Sequence, residues 1–428
     1  SNQWSRSSIY YLVDFSQDAD PFKAMNLDIG FSQAEYGLLA SVAFTSLYAI
    51  ASLGAGVVSD RFNRKTLALA AAFTWSTATL GTALSDSYEQ VVVCRILMGL
   101  ACAFATTTAY PLIRERAPPE RVVLATSLYG TGVAVASALS SLSILLDGEL
   151  GWRNTYSLVA VYGLVAASMA ALLLEDDAKE QSAADRSLSL DEETPANAFA
   201  DVWTDVKDVF STSRAQWLLS GSLFRFSSGL MIGVWSGAYF RMAFAENQSE
   251  YAIAQAAISA IGASLSGVLG GAAADWLSTN ASQSPDGEDP VGRGLWVVVA
   301  GSILAAPTWY FAVHAGQSFE TAMLWLALEY FVAECWFGPT ISTLQSTVGP
   351  KIGGTAQGIF TLSGAIANFA PSILGIVYGQ ALDGTDVSGE SLSNLLAVAV
   401  STCYLISAAC FAVAALSAPP LLIDDKSK

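Results

Sequence analysis

The chain has 428 residues, of which 53% are hydrophobic and 13% are charged, and its mean hydropathy is +0.45. Soluble domains usually carry about twice that charged fraction, so an ordinary soluble domain is excluded. The formal net charge of −17 argues against nucleic acid as a partner, and no phosphate-binding glycine motif indicates a nucleotide site. One histidine and five cysteines without a CxxC pair argue against a metal site, so we expect neither a cofactor nor enzymatic activity.

Apolar stretches near 20 residues recur along the whole chain, which is the pattern of membrane-spanning helices. Their unbroken apolar character favours helices over the strands of a membrane barrel. The sequence therefore predicts an all-α membrane protein with twelve transmembrane helices, the first one truncated. In chain order they are α1 (1–15), α2 (33–58), α3 (66–85), α4 (89–113), α5 (121–146), α6 (154–174), α7 (216–244), α8 (251–277), α9 (294–315), α10 (319–347), α11 (355–379) and α12 (392–417).

The first of these helices is shorter than a membrane span requires, and the chain begins without Met. We therefore expect α1 to start before residue 1, in a segment that could also hold an organelle-targeting peptide. The chain is predicted to be a multi-pass integral membrane protein, and the sequence leaves open whether its membrane is that of the cell or of an organelle.

The predicted helices fall into two groups of six, separated by a polar stretch. We assign 1–174 to an N-terminal six-helix bundle, 175–214 to an acidic cytoplasmic linker, 215–418 to a C-terminal six-helix bundle and 419–428 to a tail. Residues 199–210 of the linker space their apolar side chains at helical intervals, which predicts an amphipathic helix on the membrane surface. Two similar halves are typical of transporters built from parallel repeats.

Basic side chains concentrate in the loops on one side of the predicted bundle, and the loops on the other side are almost purely acidic. Because basic loops stay on the cytosolic side, we expect the α2–α3, α4–α5, α6–α7, α8–α9 and α10–α11 loops to face the cytosol or its organelle equivalent. The basic residues of this side are Arg61, Arg64, Lys65, Arg114, Arg116, Arg121 and Lys351.

The run Asp60-Arg61-Phe62-Asn63-Arg64-Lys65 after α2 resembles the signature loop of major facilitator superfamily transporters. A weaker copy, Gly271-Ala-Ala-Ala-Asp275-Trp276, follows 215 residues later, about half the chain length. The resemblance implies that Asp60, Arg61, Arg64 and Asp275 act in gating. Plain topology-setting charge is the alternative, and the second copy lacks the cations of the first.

Within the superfamily, Asn2-Gln3-Trp4-Ser5-Arg6 and the spacing of Glu329 to Trp336 resemble spinster-type lipid transporters and related organic-anion carriers. The resemblance implies a secondary transporter that works by alternating access. Ser5 and Cys102 stand where acids are expected, so proton coupling through α1 and α4 does not carry over.

Ionisable groups inside a bilayer are costly and are therefore functional candidates. Arg6 on α1 and Arg225 on α7 occupy equivalent helices of the two halves, so both are predicted to face a central cavity. A planar guanidinium suits a carboxylate, phosphate or sulfate, because it can pair two oxygens at once. The alternative is that each Arg pairs with a buried acid. Arg95, at the start of α4, is either a third substrate contact or a structural cation.

Glu329 and Glu334 both lie on α10, and a separation of five residues places them about 140° apart on a helix. We favour Glu329 as the carboxylate that faces the cavity and Glu334 as a helix-packing partner. A desolvated carboxylate holds a proton more readily and can exchange it during transport, so Glu329 is the proton-coupling candidate. A structural ion pair with a buried Arg is the alternative.

Aromatic side chains on the same helices are candidates for the cavity wall, with core packing as the alternative for each. They are Tyr10, Tyr11, Trp235, Tyr239, Tyr330 and Trp336.

Two functions are consistent with these patterns. The first is a secondary transporter of an organic anion or anionic amphiphile (a carboxylate, a phosphate ester or a lysolipid), whose partners are the lipid bilayer and its substrate. The second is a transporter-like subunit that no longer transports and belongs to a larger membrane complex. The loss of acids at Ser5 and Cys102 motivates the second, and fixed-stoichiometry copurification distinguishes it from a monomeric transporter.

Overall fold

The computed structural model describes residues 2–16, 18–61, 63–116, 122–173, 204–283, 289–316, 318–348, 352–382 and 389–417. Within these ranges the regular structure is helical and contains no strand. Most of the predicted linker (175–203) and the tail (419–428) lie outside them. The proposed division into bundle, linker, bundle and tail therefore remains a prediction.

The described helices follow the predicted order. Four of them contain an irregular segment between two α-helical parts: a π-helical segment in α2 (Leu38–Val42) and in α8 (Ile258–Gly262), a 3₁₀ turn in α10 (Glu334–Trp336) and a break at Asn368 in α11. The segments are α1 Asn2–Ser7; α2 Gln33–Gly37 and Ala43–Arg61; α3 Arg64–Ala83; α4 Tyr88–Arg116; α5 and α6 together Val122–Leu173; α7 Ser213–Ala243; α8 Gln248–Ala257 and Ala263–Ser282; α9 Pro290–Val313; α10 Phe319–Ala333 and Phe337–Val348; α11 Gly353–Ala367 and Phe369–Leu382; and α12 Gly389–Leu416. Short helices at Met25–Ile29 and 204–211 lie outside this set.

Eight helical stretches of the described chain are long and apolar enough to cross a membrane. They account for α2, α4, α7, α8, α9, α11 and α12, and the stretch Gly132–Leu173 contains both α5 and α6. α1 is too short to qualify. α3 carries several Thr and Ser residues, and α10 carries Glu329 and Glu334, which lowers the mean hydropathy of both helices. The chain is thus a multi-pass integral membrane protein of helical architecture.

α5 and α6 are separated by a reversal at Gly151. Its φ of 78° lies in the left-handed region, which glycine adopts without steric penalty. Trp4 donates a hydrogen bond to Ser143 before the reversal and its ring contacts Tyr162, 5.6 Å away, after it. A continuous helix would separate those two positions by nearly 30 Å, so the chain must turn back at Gly151.

Side-chain caps fix where several helices begin. Asn63 accepts from the Thr66 amide at the start of α3, and Ser32 with Glu35 forms a capping box at the start of α2. Asp289 accepts from two amides at the start of α9, ahead of a proline in its first turn. The signature segment after α2 therefore supplies the cap of α3.

The helix at 204–211 coincides with the end of the predicted amphipathic helix. Val209 is fully buried in a cluster with Leu218 and Leu295 from the start of α7 and α9, and Phe210 is exposed. Asp205 accepts a hydrogen bond from Thr355 at 3.3 Å. Val209 of this helix therefore packs on the C-terminal bundle, and the predicted contact of the amphipathic helix with the membrane surface stays a prediction.

The two halves meet in a buried layer on the side of the acidic loops. The Tyr36 hydroxyl of α2 donates to the carbonyl of Val234 on α7 at 2.6 Å, and Ser41 lies 2.7 Å from Ser372 of α11. Gly37 and Gly375 permit a close approach of α2 and α11, because a Cβ at Gly375 would lie only 3.4 Å from the Gly37 Cα. The main hydrophobic core draws on both halves and is continuous with this layer.

Candidate functional site

A cavity of about 680 Å³ lies between the halves. α1 and α5 form its N-terminal wall, and α7, α8 and α10 form its C-terminal wall. Arg6 and Glu334 are the charged residues among those that line it, and they come from opposite halves. The remaining lining residues are Gln3, Ser7, Tyr10, Tyr11, Val133, Ala134, Ser137, Gly229, Leu230, Gly233, Val234, Ser259, Ala263, Ser264, Tyr330 and Phe337.

The cavity lies on the basic-loop side of the layer that joins the halves. On α5, its lining residues precede Ser141, which donates across the halves to the Ala252 carbonyl of α8 at 3.2 Å. On α8, the lining residues follow Ala252, toward the α8–α9 loop. α5 starts and α8 ends on the basic-loop side. The structure is therefore closed toward the acidic loops, and its cavity lies between that closure and the basic loops.

Arg6 is half-buried in the cavity wall. Its guanidinium lies 4.5 Å from the centre of the Phe44 ring, a cation–π contact. In the described part of the chain it has neither an acidic partner nor a hydrogen bond from its side chain. A cation that faces a partly dry cavity without a counterion favours an anionic ligand there.

Arg95 supports the segment that carries Arg6. It is 1% exposed, and it donates to the backbone carbonyl of Arg6 at 2.9 Å and to that of Leu39 at 3.3 Å. Arg95 is not among the residues that line the cavity. Of the two readings from the sequence, its contacts match a structural cation that fixes α1 against α2.

Arg225 is buried behind the cavity wall. It donates to the carbonyl of Ala333 at 2.8 Å and to Oε1 of Glu334 at 3.2 Å, and its guanidinium lies over the rings of Trp336 and Tyr404. Glu334, with 37% of its side chain exposed, reaches the cavity. The Glu334 carboxylate of this pair therefore faces the cavity, and the Arg225 guanidinium is buried behind it.

The expected orientation of the two α10 carboxylates was wrong. Glu329 is 2% exposed and accepts a hydrogen bond from the Tyr404 hydroxyl of α12, whereas Glu334 lines the cavity. The helix tightens into a 3₁₀ turn at Glu334–Trp336, directly after the segment that carries Glu329. Glu334 thus lies on the cavity side of α10, and Glu329 packs within the C-terminal bundle.

Of the predicted aromatic wall, Tyr10, Tyr11 and Tyr330 line the cavity. Trp235, Tyr239 and Trp336 do not. Trp235 donates to the Pro371 carbonyl at 3.0 Å, and Tyr239 donates to the Val313 carbonyl at 2.6 Å. These contacts fill the core, so direct substrate contact by Trp235, Tyr239 and Trp336 is not supported in this conformation.

The predicted gating residues lie at the basic-loop ends of the helices. The side chains of Asp60 and Arg61 lie outside the described part of the chain. Arg64 is half-buried at the start of α3, and Asp275 is exposed on α8, where it lines a second cavity of about 410 Å³ against α9 and α10. Their gating role remains a prediction.

A buried ion cluster between the halves was missed from the sequence. Arg241 of α7 donates to the Tyr11 carbonyl at 2.5 Å and to Asp147 of α5 at 3.3 Å, and lies 4.0 Å from Asp14. Arg241, Asp147 and Asp14 are each at most 4% exposed. The cost of charge in a membrane helix could have identified Arg241, but its partners are 94 to 230 residues away in sequence.

A known family of membrane proteins matches most of the chain. Residues 19–371 match the family model of the Major Facilitator Superfamily. An MFS-type efflux pump of Mycolicibacterium smegmatis is 24% identical over 402 residues, covering 92% of this chain and 86% of that protein.

Other relatives match over shorter stretches. The 4-hydroxybenzoate transporter PcaK of Pseudomonas aeruginosa is 29% identical over 40% of this chain and 39% of its own length. The hexuronate transporter of Bacillus subtilis is 24% identical over 38% of this chain and 37% of its own length. The chain thus aligns with well under two thirds of these two relatives.

Solved structures share the fold. A bacterial homolog of the human lysosomal transporter Spinster, in an inward-facing and unoccupied conformation, superposes with a TM-score of 0.71 at 16% identity, over 97% of this chain and 92% of that one. A point mutant of the peptide transporter POT, in complex with sulfate, gives a TM-score of 0.67 at 12% identity, over 96% of this chain and 92% of that one.

Proposed function

The chain belongs to the major facilitator superfamily of membrane transporters, and we propose that it is a secondary transporter that moves a compact organic anion through its central cavity. The observation that carries this proposal is Arg6, a cation in the cavity wall with no acidic partner in the described structure. An anionic ligand would supply the missing counterion, and the guanidinium fork suits a carboxylate.

The size of the cavity supports a compact substrate among the anions that the sequence allowed. About 680 Å³ lies within the range of pockets that enclose small molecules. Relatives that transport 4-hydroxybenzoate and hexuronate, both organic acids, support the same class. Transport of a carboxylate of this size is therefore favoured over that of a lysolipid.

Alternating access is the mechanism that fits a cavity closed on one side. The halves are joined by the buried layer at the acidic loops, and the cavity lies on the other side of that layer. Rocking of the two six-helix bundles would separate Ser41 from Ser372 and Arg241 from Asp147, and would close the basic-loop side. There, Asp60, Arg61, Arg64 and Asp275 would act as the second gate.

The α10 carboxylates are proposed as the site where a proton couples to transport. Glu329 accepts a hydrogen bond from Tyr404, whose ring also contacts the Arg225 guanidinium, and Arg225 pairs with the cavity-facing Glu334. A proton on either carboxylate would change how Arg225 is held. Arg225, Arg95, Trp235, Tyr239 and Trp336 would thus affect transport through the residues they position, without contacting the substrate in this conformation.

A ligand screen of the purified protein tests the proposal. Carboxylates, sugar phosphates, inorganic anions and lysophospholipids are compared for their effect on the melting temperature, because a ligand that binds the folded state raises it. We expect small carboxylates to give a shift that Arg6→Ala removes. Arg153→Ala, which removes a half-exposed cation paired with Asp28 outside the cavity, is the control that should retain the shift. No shift from any anion would contradict the proposal.

A further inference from the structure

We propose that the substrate is a hydroxylated carboxylate, with Arg6 binding its carboxylate and Glu334 accepting a hydrogen bond from a hydroxyl at its far end. This inference rests on the proposed function and specifies the substrate class of the same cavity. It follows from which polar groups of the cavity wall already make hydrogen bonds within the protein and which retain open donor or acceptor positions.

Several polar groups of the cavity wall are used within the protein. The Tyr10 hydroxyl donates to the Ala40 carbonyl at 3.4 Å, and Ser264 donates to the Ala260 carbonyl at 2.6 Å. Gln3 donates to Ser7 at 2.9 Å. These groups shape the cavity and contribute less to recognition than groups that retain open positions.

The two charged side chains of the wall retain such positions. Arg6 has no acidic partner in the described structure, and its guanidinium offers donors to two oxygens at once. Glu334 uses Oε1 for Arg225, while its other carboxylate oxygen has no partner within the described residues. A carboxylate has about four acceptor positions, so Glu334 can accept from a ligand while it stays paired with Arg225.

The charges of Arg6 and Glu334 determine which chemical groups the two ends of the substrate carry. Arg6 belongs to α1 of one half and Glu334 to α10 of the other, so a ligand that touches both bridges the halves. The Glu334 carboxylate disfavours a second anionic group on the ligand and favours a hydrogen-bond donor. Its charge is already compensated by Arg225, so a neutral hydroxyl satisfies the open oxygen and a second cation is not required.

Beside these two charged groups, the cavity wall carries apolar and aromatic side chains. Val133 and Leu230 face the cavity from α5 and α7, and Tyr11 and Phe337 add ring surface. A ring or short aliphatic body fits such a surface, since apolar and aromatic side chains make up most of a small-molecule pocket. The substrate is thus an acid at one end, apolar in the middle and a hydroxyl donor at the other end.

Uptake into proteoliposomes measured with four para-substituted acids tests this inference. The probes are 4-hydroxybenzoate, benzoate, 4-methoxybenzoate, which keeps the oxygen and removes the donor, and terephthalate, which places a second carboxylate there. We expect 4-hydroxybenzoate to be preferred about tenfold over benzoate and 4-methoxybenzoate, the effect of one hydrogen bond to a charged acceptor, and terephthalate to be rejected.

The Glu334→Gln variant tests whether Glu334 accepts the hydrogen bond from the substrate hydroxyl. It should lose most of this preference and admit terephthalate, whereas Glu320→Gln, which alters an exposed acid on the same helix, should behave as the wild type. The melting temperature of each variant reports whether it folds.

The outcomes separate the two proposals. Equal uptake of 4-hydroxybenzoate, benzoate and 4-methoxybenzoate, or an unchanged preference in Glu334→Gln, would overturn the hydroxyl inference and leave the anion transporter standing. If none of these acids is taken up and no anion of the wider ligand screen raises the melting temperature, the anion-transport function itself fails. Loss of all uptake in Arg6→Ala with the preference retained in the wild type would support both.

Discussion

The guanidinium of Arg241 on α7 lies 3.3 Å from Oδ2 of Asp147 on α5, so a buried ion pair joins the two halves of the transporter. Asp14 lies 4.0 Å from the same guanidinium, and the Tyr11 carbonyl accepts from it at 2.5 Å. Any motion that opens the acidic-loop side must separate these groups. Under the proposed alternating access, the cluster would therefore affect the balance between the two open states.

Replacement of Arg241 by Met should shift that balance toward opening at the acidic loops. The substitution leaves Asp147 and Asp14 buried without their cation in the closed layer, at a cost of about 3–5 kcal/mol that water would relieve after opening. A cysteine introduced at Ser372, which is 3% exposed in the closed layer, reports the opening. Its labelling by a membrane-impermeant maleimide from the acidic-loop side should increase.

Arg153→Met is the matched control for this experiment. Arg153 pairs with Asp28 at 2.9 Å near the acidic loops, but both residues belong to the N-terminal half. Its loss should leave the labelling unchanged. Equal labelling of Ser372→Cys with and without Arg241→Met would show that the pair does not hold the halves together.

Replacement of Arg95 by Met should weaken substrate binding without removing a cavity-lining group. Arg95 holds the backbone of Arg6 and Leu39, so its loss frees the segment that carries the proposed anion-binding residue Arg6. We expect the dissociation constant for a small carboxylate to rise about tenfold, the effect of a lost charge-assisted hydrogen bond. Titration of the purified protein measures it, and Arg95→Lys should recover part of the affinity. An unchanged constant would assign Arg95 to stability alone.

The membrane helices could be predicted from the sequence because the contrast between apolar spans and polar loops is strong. α7, expected over 216–244, spans Ser213–Ala243, and α9, expected over 294–315, spans Pro290–Val313. The reversal at Gly151 falls between the predicted end of α5 at 146 and the predicted start of α6 at 154, so the sequence had indicated it as well. The irregular segments within α2, α8, α10 and α11 depend on contacts between helices. A hydropathy pattern does not contain that information.

The candidate site could be predicted only in part. Arg6 and Tyr10 line the cavity as expected, because α1 faces the cavity in the structure as it does in the prediction. The choice between Glu329 and Glu334 required the rotation of α10 about its own axis, which depends on how the helix packs against its neighbours. Arg241 could not be joined to Asp147 from the sequence, since that contact depends on how two helices 94 residues apart meet.

Replacement of Glu329 by Gln should uncouple transport from a proton gradient. The amide mimics a carboxyl group that cannot lose its proton, and it keeps the size of the side chain beside Tyr404. Exchange of substrate across the membrane should continue, while accumulation driven by a pH difference should fall about tenfold or more. Uptake into proteoliposomes, with and without the gradient, measures both quantities.

Glu320→Gln, at an exposed position of α10, provides the control and should accumulate substrate as the wild type does. Accumulation that survives Glu329→Gln but is lost in Glu334→Gln would transfer the coupling role to the cavity-facing carboxylate. Survival in both variants would place coupling outside α10.

Replacement of Gly375 by Ala should prevent full closure at the acidic loops. A Cβ at this position would lie 2.8 Å from the Gln33 carbonyl oxygen and 2.9 Å from the Trp235 ring, both held in the buried layer, so α2 and α11 must move apart. If alternating access requires this layer to close in each cycle, transport should fall while the protein stays folded, and Ser372→Cys should become accessible. Gly267→Ala on α8 is the control, since its Cβ would meet no atom within 4 Å. If Gly375→Ala transports at the wild-type rate with Ser372→Cys still protected, the close approach of α2 and α11 is not needed for the closed state.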